Sequence, residues 1–332
     1  MVAELRKLPM LLVFILLAIS PSSAPRADAG YSAYIPVLSL TRSPWGFHVA
    51  DFAIAQQAAN IALHKPDYIR IDFGDWNGAP NHELSTPYQQ YLLSGWPAVD
   101  AEVIPRLDIA NQLAENVIID TLRGGPCPYA PAQADLEAYA DFLAAFAARY
   151  DFDILEPWNE PDYEGGMPGI FGCFGSQYAD EFIDFLEYLL PLLPPSVKLG
   201  ISFGFSDPAS QAMFVAAGNV AGLEYVGIHN YGIHAVPEPL YPWPGDLKTA
   251  YELATSLTEK PVWITEYNLR DPSLNCLDPV FQQAQADVVN SAFSLRAPVV
   301  IPFSYHTQLG SWDCVGLHQS QWERMALGVG YP

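Results

Sequence analysis

From residue 44 onward, short runs of β-branched and aromatic residues are followed by longer stretches whose apolar positions recur every three or four residues. The first pattern suits strands and the second suits helices with one buried stripe. Strands are predicted over 46–49, 68–73, 117–122, 152–158, 197–203, 225–230, 262–267 and 299–305. Helices predicted over 52–63, 132–150, 177–190, 209–217, 247–257 and 281–295 fill most of the gaps; in the second, Leu136, Tyr139, Phe142, Leu143 and Phe146 share one face. Eight strands alternating with helices imply an α/β class, a (β/α)8 TIM barrel in a single domain over 44–332. The rival is an open doubly wound sheet, which usually carries a Gly-rich phosphate turn after its first strand, and none follows Val49.

The chain before residue 44 reads differently. Arg6 and Lys7 precede an apolar run over 9–19 and a polar stretch ending in Ala27-Asp28-Ala29. That order predicts a secretory signal peptide over 1–29, cleaved near Ala29, and hence an extracellular protein. The apolar run has 11 residues, against about 20 for a membrane span. Residues 30–43, with Pro36 and little periodicity, are a lead-in segment. No later stretch is apolar enough to span, so no membrane attachment is expected of the mature form.

The formal net charge of −22 becomes −23 without residues 1–29, which hold three basic and two acidic side chains. So negative a field disfavours nucleic acid and anionic membranes, and it does not repel a neutral sugar. Cys127, Cys173, Cys276 and Cys314 show no metal-ligand spacing. In an exported chain they are candidates for two disulfides; three connectivities are open, and strand order favours 127 with 173 and 276 with 314, each pair on adjacent loops.

Two glutamates end strands. Glu160 lies in Trp158-Asn159-Glu160-Pro161-Asp162, closing the fourth strand, and Glu266 in Trp263-Ile264-Thr265-Glu266-Tyr267 on the seventh. The C-terminal ends of barrel strands surround the active-site mouth. A lone glutamate is ordinarily a solvated loop residue, but these stand in apolar company, where a carboxyl must find a partner or hold its proton. Glycosidic cleavage needs such a pair, one acid at the leaving oxygen and one nucleophile or base across the ring. Two carboxyls supply both, so no metal and no cofactor is expected.

These residues resemble glycoside hydrolase clan A, the retaining barrel enzymes whose acid/base ends strand four in Asn-Glu-Pro and whose nucleophile ends strand seven. The likeness spans 44–312 and implies Glu160 as acid/base, Glu266 as nucleophile and Asn159 on the sugar 2-hydroxyl. Glu156, four residues earlier, also fits the clan. His229-Asn230-Tyr231 resembles its His-x-Tyr, with Tyr231 on the nucleophile; a satisfied core histidine is the plainer reading of His229. Arg70 resembles an arginine held beneath the nucleophile, and an ion pair with Asp72 or Asp120 is the structural alternative. Within the clan, the motifs are similar to families 39 and 5 and to the fungal alkali-sensitive-linkage group. Strand three ends in Asp120-Thr121-Leu122-Arg123 without the histidine common in family 5.

Trp45, Trp76, Trp158, Trp243 and Trp312 lie near strand ends or in loops, and aromatic faces pack against pyranose rings. Trp312 is the favoured platform at the cleaved bond. Trp158 either contacts sugar or packs beneath Asn159, and Trp45 opens strand one at the opposite end. The expected protein is a monomer acting on a poly- or oligosaccharide. The alternatives are a catalytically inactive carbohydrate-binding barrel, which usually lacks one carboxylate, and a structural scaffold.

Overall fold

In the computed structural model the described residues are 43–50, 54–73, 87–121, 130–162, 174–231, 246–268 and 291–303. The expected signal peptide and lead-in segment, Trp76, Trp243, Trp312 and all four cysteines lie outside them.

The strands are β1 (Gly46–Ala50), β2 (Tyr68–Asp72), β3 (Asn116–Asp120), β4 (Ile154–Glu156), β5 (Lys198–Phe203), β6 (Tyr225–Asn230) and β7 (Val262–Tyr267). Each pairs in parallel with the next, in sequence order. The segment predicted as an eighth strand is present as bridges from Val300 to Trp45 and to Ile264, which join β7 back to β1. These bridges bring the sheet round into a TIM barrel and exclude the open doubly wound sheet.

The helices are α1 (Ile54–His64), α2 (Pro87–Ser94), α3 (Trp96–Leu113), α4 (Gln133–Arg149), α5 (Ala179–Leu189), α6 (Pro208–Gly218) and α7 (Leu247–Leu257). Five match predicted helices. α2 and α3 do not; in α3 Pro105 stands in the helix interior, where proline is disfavoured, even though Val99, Val103, Leu107 and Ala110 keep a buried stripe. Of the helix predicted over 281–295, only 291–294 is described as helical. No helix among the described residues is long and apolar enough to cross a membrane.

Alternation along the strands sorts residues between two cores. One set, including Ile69, Ile71, Val117, Ile119 and Leu155, packs under the helices. The other faces the barrel axis: Ile118, Ile154, Tyr225, Trp263, Val299 and Ile301 form a separate cluster, with Tyr225 stacked on Trp263 at 3.8 Å. Above this apolar plug the axial positions turn polar: Arg70 and Asp72 on β2, Asp120 on β3, Glu156 on β4 and Ser202 on β5 are all buried.

Candidate active site

β4 is shorter than its predicted span of 152–158 because Pro157 has no N–H for the ladder. The chain resumes contact at Asn159, which bridges Ser202, and Glu160 donates its own N–H to Ser202 O at 3.2 Å. Glu160 takes a left-handed backbone, φ +46°, which costs a residue with a Cβ about 1–2 kcal/mol. Such strain persists only where the surroundings over-determine it.

Glu266 arrives by a different device. β6 and β7 pair Ile228 with Ile264 but His229 with Glu266, so one residue of β7 is extra. Trp263 and Thr265 already face the axis, and strict alternation would turn Glu266 toward the helices. The bulge sends Glu266 into the barrel beside Arg70 and Tyr231.

The two glutamates meet. Atoms of Glu160, His229 and Glu266 lie within 4.8 Å of one another, and all three residues are buried. His229 Nδ1 is 2.7 Å from Glu160 Oε1 and 3.4 Å from Glu266 Oε2. His229 Nε2 finds no partner among the described residues. An orphaned acceptor costs less than an orphaned N–H, which assigns the hydrogen to Nδ1, donating to Glu160. Burial pushes His229 down to about 4, so the ring is neutral near pH 7.

Both Glu266 oxygens accept hydrogen bonds: Oε1 from Arg70 Nη1 at 2.6 Å, Oε2 from the Tyr231 hydroxyl at 2.5 Å. That is the pattern of a carboxylate. Tyr231 is pushed well above the usual phenol range by burial and by Glu266 and Glu160, so it stays a donor. Glu160 has the opposite character. Burial raises it to about 8, with Arg70 opposing and Asp72 assisting, which leaves it mostly protonated at pH 7.

Arg70 is the hub. Its Nε donates to Glu156 Oε2 at 2.6 Å, its Nη2 to Asp120 Oδ2 at 2.5 Å and to Asn159 Oδ1 at 3.3 Å, and its Nη1 also meets His48 Nδ1 at 2.6 Å. A guanidinium only donates, so His48 Nδ1 accepts and His48 Nε2 donates to Asp72 Oδ2 at 2.5 Å. The two readings of Arg70, beneath Glu266 or paired with Asp72 or Asp120, therefore coexist. Burial alone would raise Glu156, but Arg70 and the hydroxyls of Ser202 and Tyr225 hold it below the ordinary range. Burial and the neighbouring carboxylates raise Asp120 well above its range despite Arg70.

Glu160, Glu266, Asn159, His229, Tyr231 and Arg70 are thus brought together, and the Asn159 Nδ2 is buried without a partner among the described residues. Trp158 is not part of the group. Its indole is fully buried, with Tyr139, Phe174 and Phe185 at centroid distances of 5.8, 4.9 and 6.1 Å, so it packs and offers no face to a sugar. Trp45 is likewise buried, against Phe47 and Phe293. His48, Ser202 and Tyr225 escaped the sequence reading. Their signal was a polar or hydroxylated side chain on the inward register of an otherwise apolar strand.

Glu160, His229 and Glu266 also have the spacing of a metal-ligand trio. The fixed cation of Arg70 at 2.6 Å and two donors already on Glu266 oppose a metal ion there, and the set suits proton transfer better.

No protein-family model and no curated protein matches this sequence. Solved structures do match. GH5_18 from Streptomyces cattleya in complex with GlcNAc aligns over 88% of this chain and 82% of its own, at TM-score 0.57 and 16% identity. An apo beta-glucosidase aligns over 85% and 89%, at 0.54 and 13%. A modular family 26 endo-beta-1,4-mannanase from Cellulomonas fimi aligns over 88% and 71%, at 0.54 and 13%. With sequences this different the likeness lies in the backbone, and this chain shares the β/α-barrel fold of these glycosidases.

Proposed function

We propose that this protein is a secreted retaining glycoside hydrolase that cleaves an O-glycosidic bond of a poly- or oligosaccharide by double displacement. The observation that carries the reading is the glutamate pair: carboxyl oxygens within 4.8 Å, one group holding its proton to about pH 8 and the other accepting on both oxygens. Retaining enzymes hold their carboxyls about 5–5.5 Å apart, whereas inverting ones leave room for water at about 6.5 Å or more.

In this mechanism Glu266 attacks the anomeric carbon and forms an ester to it. Glu160 gives its proton to the glycosidic oxygen as the carbon–oxygen bond breaks. Glu160, then ionised, takes a proton from water, whose oxygen attacks the same carbon and releases Glu266. Asn159 Nδ2, without a partner among the described residues, donates to the sugar 2-hydroxyl, and Trp312 is the proposed platform. The bound GlcNAc of one structural neighbour supports a pyranose as occupant. Secretion is supported by the pattern over 1–29.

The test is hydrolysis of aryl glycosides and polysaccharides by the purified protein beside Glu160→Gln and Glu266→Gln, with the anomer of the first product read by NMR. Retention, and loss of turnover in Glu266→Gln, are expected. Turnover that survives Glu266→Gln, or an inverted product, would sink the reading.

A further inference from the structure

Glu160 shares its left-handed backbone with one other residue near the site, Phe205 at φ +51°, in the turn between β5 and α6. A buried side chain, Asp162, two residues after Glu160, links the two. Its Oδ1 accepts from Gly204 N at 3.0 Å, and its Oδ2 accepts from Phe205 N at 3.0 Å and from the Ser210 hydroxyl. Asp162 is 4% exposed. The turn it grips is stiff: Ser206 N donates to Ser210 Oγ at 3.2 Å, and Asp207 caps α6 through Ala209 N and Ser210 N, each at 2.8 Å.

The peptide that carries Glu160 is therefore fastened on one side to β5 and on the other to the turn that follows it. Before it, Glu160 N–H meets Ser202 O; after it, Asp162 meets the backbone of 204 and 205. Between the two fastenings the chain must turn, and the turn falls on Glu160. A carboxylate can accept all three donors at once, whereas an amide would bring an NH2 against one of them. His229 holds only the far end of the Glu160 side chain, at 2.7 Å. Nothing in the pair chemistry itself accounts for Asp162.

We propose that Asp162 is a positioning residue for Glu160: by clamping the turn after β5 it fixes the left-handed backbone at 160, and with it the direction in which the acid points. The proposal rests on Glu160 being the acid/base and adds what holds that acid in place.

The test compares kcat/KM of wild type, Asp162→Asn and Ser210→Ala on two aryl glycosides of the sugar that wild type turns over fastest. One leaves as phenol, which needs a proton; the other leaves as 2,4-dinitrophenolate, which does not. A misaimed acid should lower kcat/KM by about 100-fold on the phenyl glycoside and by about threefold or less on the dinitrophenyl one. Ser210→Ala, which keeps the carboxylate and removes one of its donors, should show the same imbalance in smaller degree and decides the matter if Asp162→Asn does not fold. Equal losses on both substrates, or no loss on either, overturn the clamp while leaving the hydrolase reading intact. A wild type that cleaves neither class of substrate removes the reading of Glu160, and the clamp with it.

Discussion

Tyr231 donates its hydroxyl to Glu266 Oε2 at 2.5 Å, on the carboxylate oxygen opposite the one that Arg70 holds. A hydrogen bond to a charged group contributes about 1.5–3 kcal/mol. Tyr231→Phe should therefore lower kcat/KM by about 10- to 100-fold with the fold intact. Steady-state kinetics beside a circular dichroism spectrum checks this, and unchanged kinetics would deny Tyr231 its part.

The raised value of Glu160 sets a pH dependence. The acid must be protonated, so kcat/KM should fall as pH rises through about 8. In Glu160→Gln the residual rate on an activated glycoside should lack that limb. A wild-type profile that stays flat to pH 9 would contradict the assignment.

The same shift has a consequence for stability. Between about pH 4.5 and 8 folded Glu160 keeps a proton that the unfolded chain has released, so the unfolded state binds fewer protons and stability falls as pH rises. An amide is neutral throughout. Glu160→Gln should thus be more stable than wild type at pH 7, by on the order of 2–3 kcal/mol, with the difference vanishing toward pH 4. Urea titrations at the two pH values measure it.

Arg70 is fully buried against four carboxyls. Removing one partner of a buried ion pair costs about 3–5 kcal/mol, because the remaining charges lose their compensation. Arg70→Met should lose stability on that scale as well as activity. A melting temperature equal to that of wild type would show that the cluster is not held by its cation.

Gly227 faces the axis where an added Cβ would overlap the hydroxyls of Ser202 and Thr265, which are bonded to each other at 2.7 Å and through Ser202 to Glu156. Overpacking of this kind costs about 1–3 kcal/mol. Thermal denaturation of Gly227→Ala should show it, whereas a neutral outcome would mean that the interior has room there.

Much of this was legible in the chain itself. Short β-branched or aromatic runs and period-3.6 patterns reflect local preferences, so β6, β7 and α7 occupy their predicted spans. The two glutamates could be picked out because a carboxyl in an apolar strand end is costly unless it is used. α3 was not legible, since Pro105 contradicts its helix interior and its packing against α1, α2 and β3 outweighs that. Trp158 was left between sugar contact and packing because an indole carries no mark of which side of the strand it will face, and burial decides for packing.

What the sequence alone determined, then, was the order of strands and helices and the residues able to do chemistry, because propensity and polarity act over a few neighbours. The tertiary structure decided which of those residues meet. The bulge in β7 turns Glu266 inward, Pro157 and the Asp162 clamp bend Glu160 toward it, and Arg70 finds partners up to 196 residues away. Those contacts exist only once the ring of strands has closed, and it is the burial that closure brings that raises Glu160.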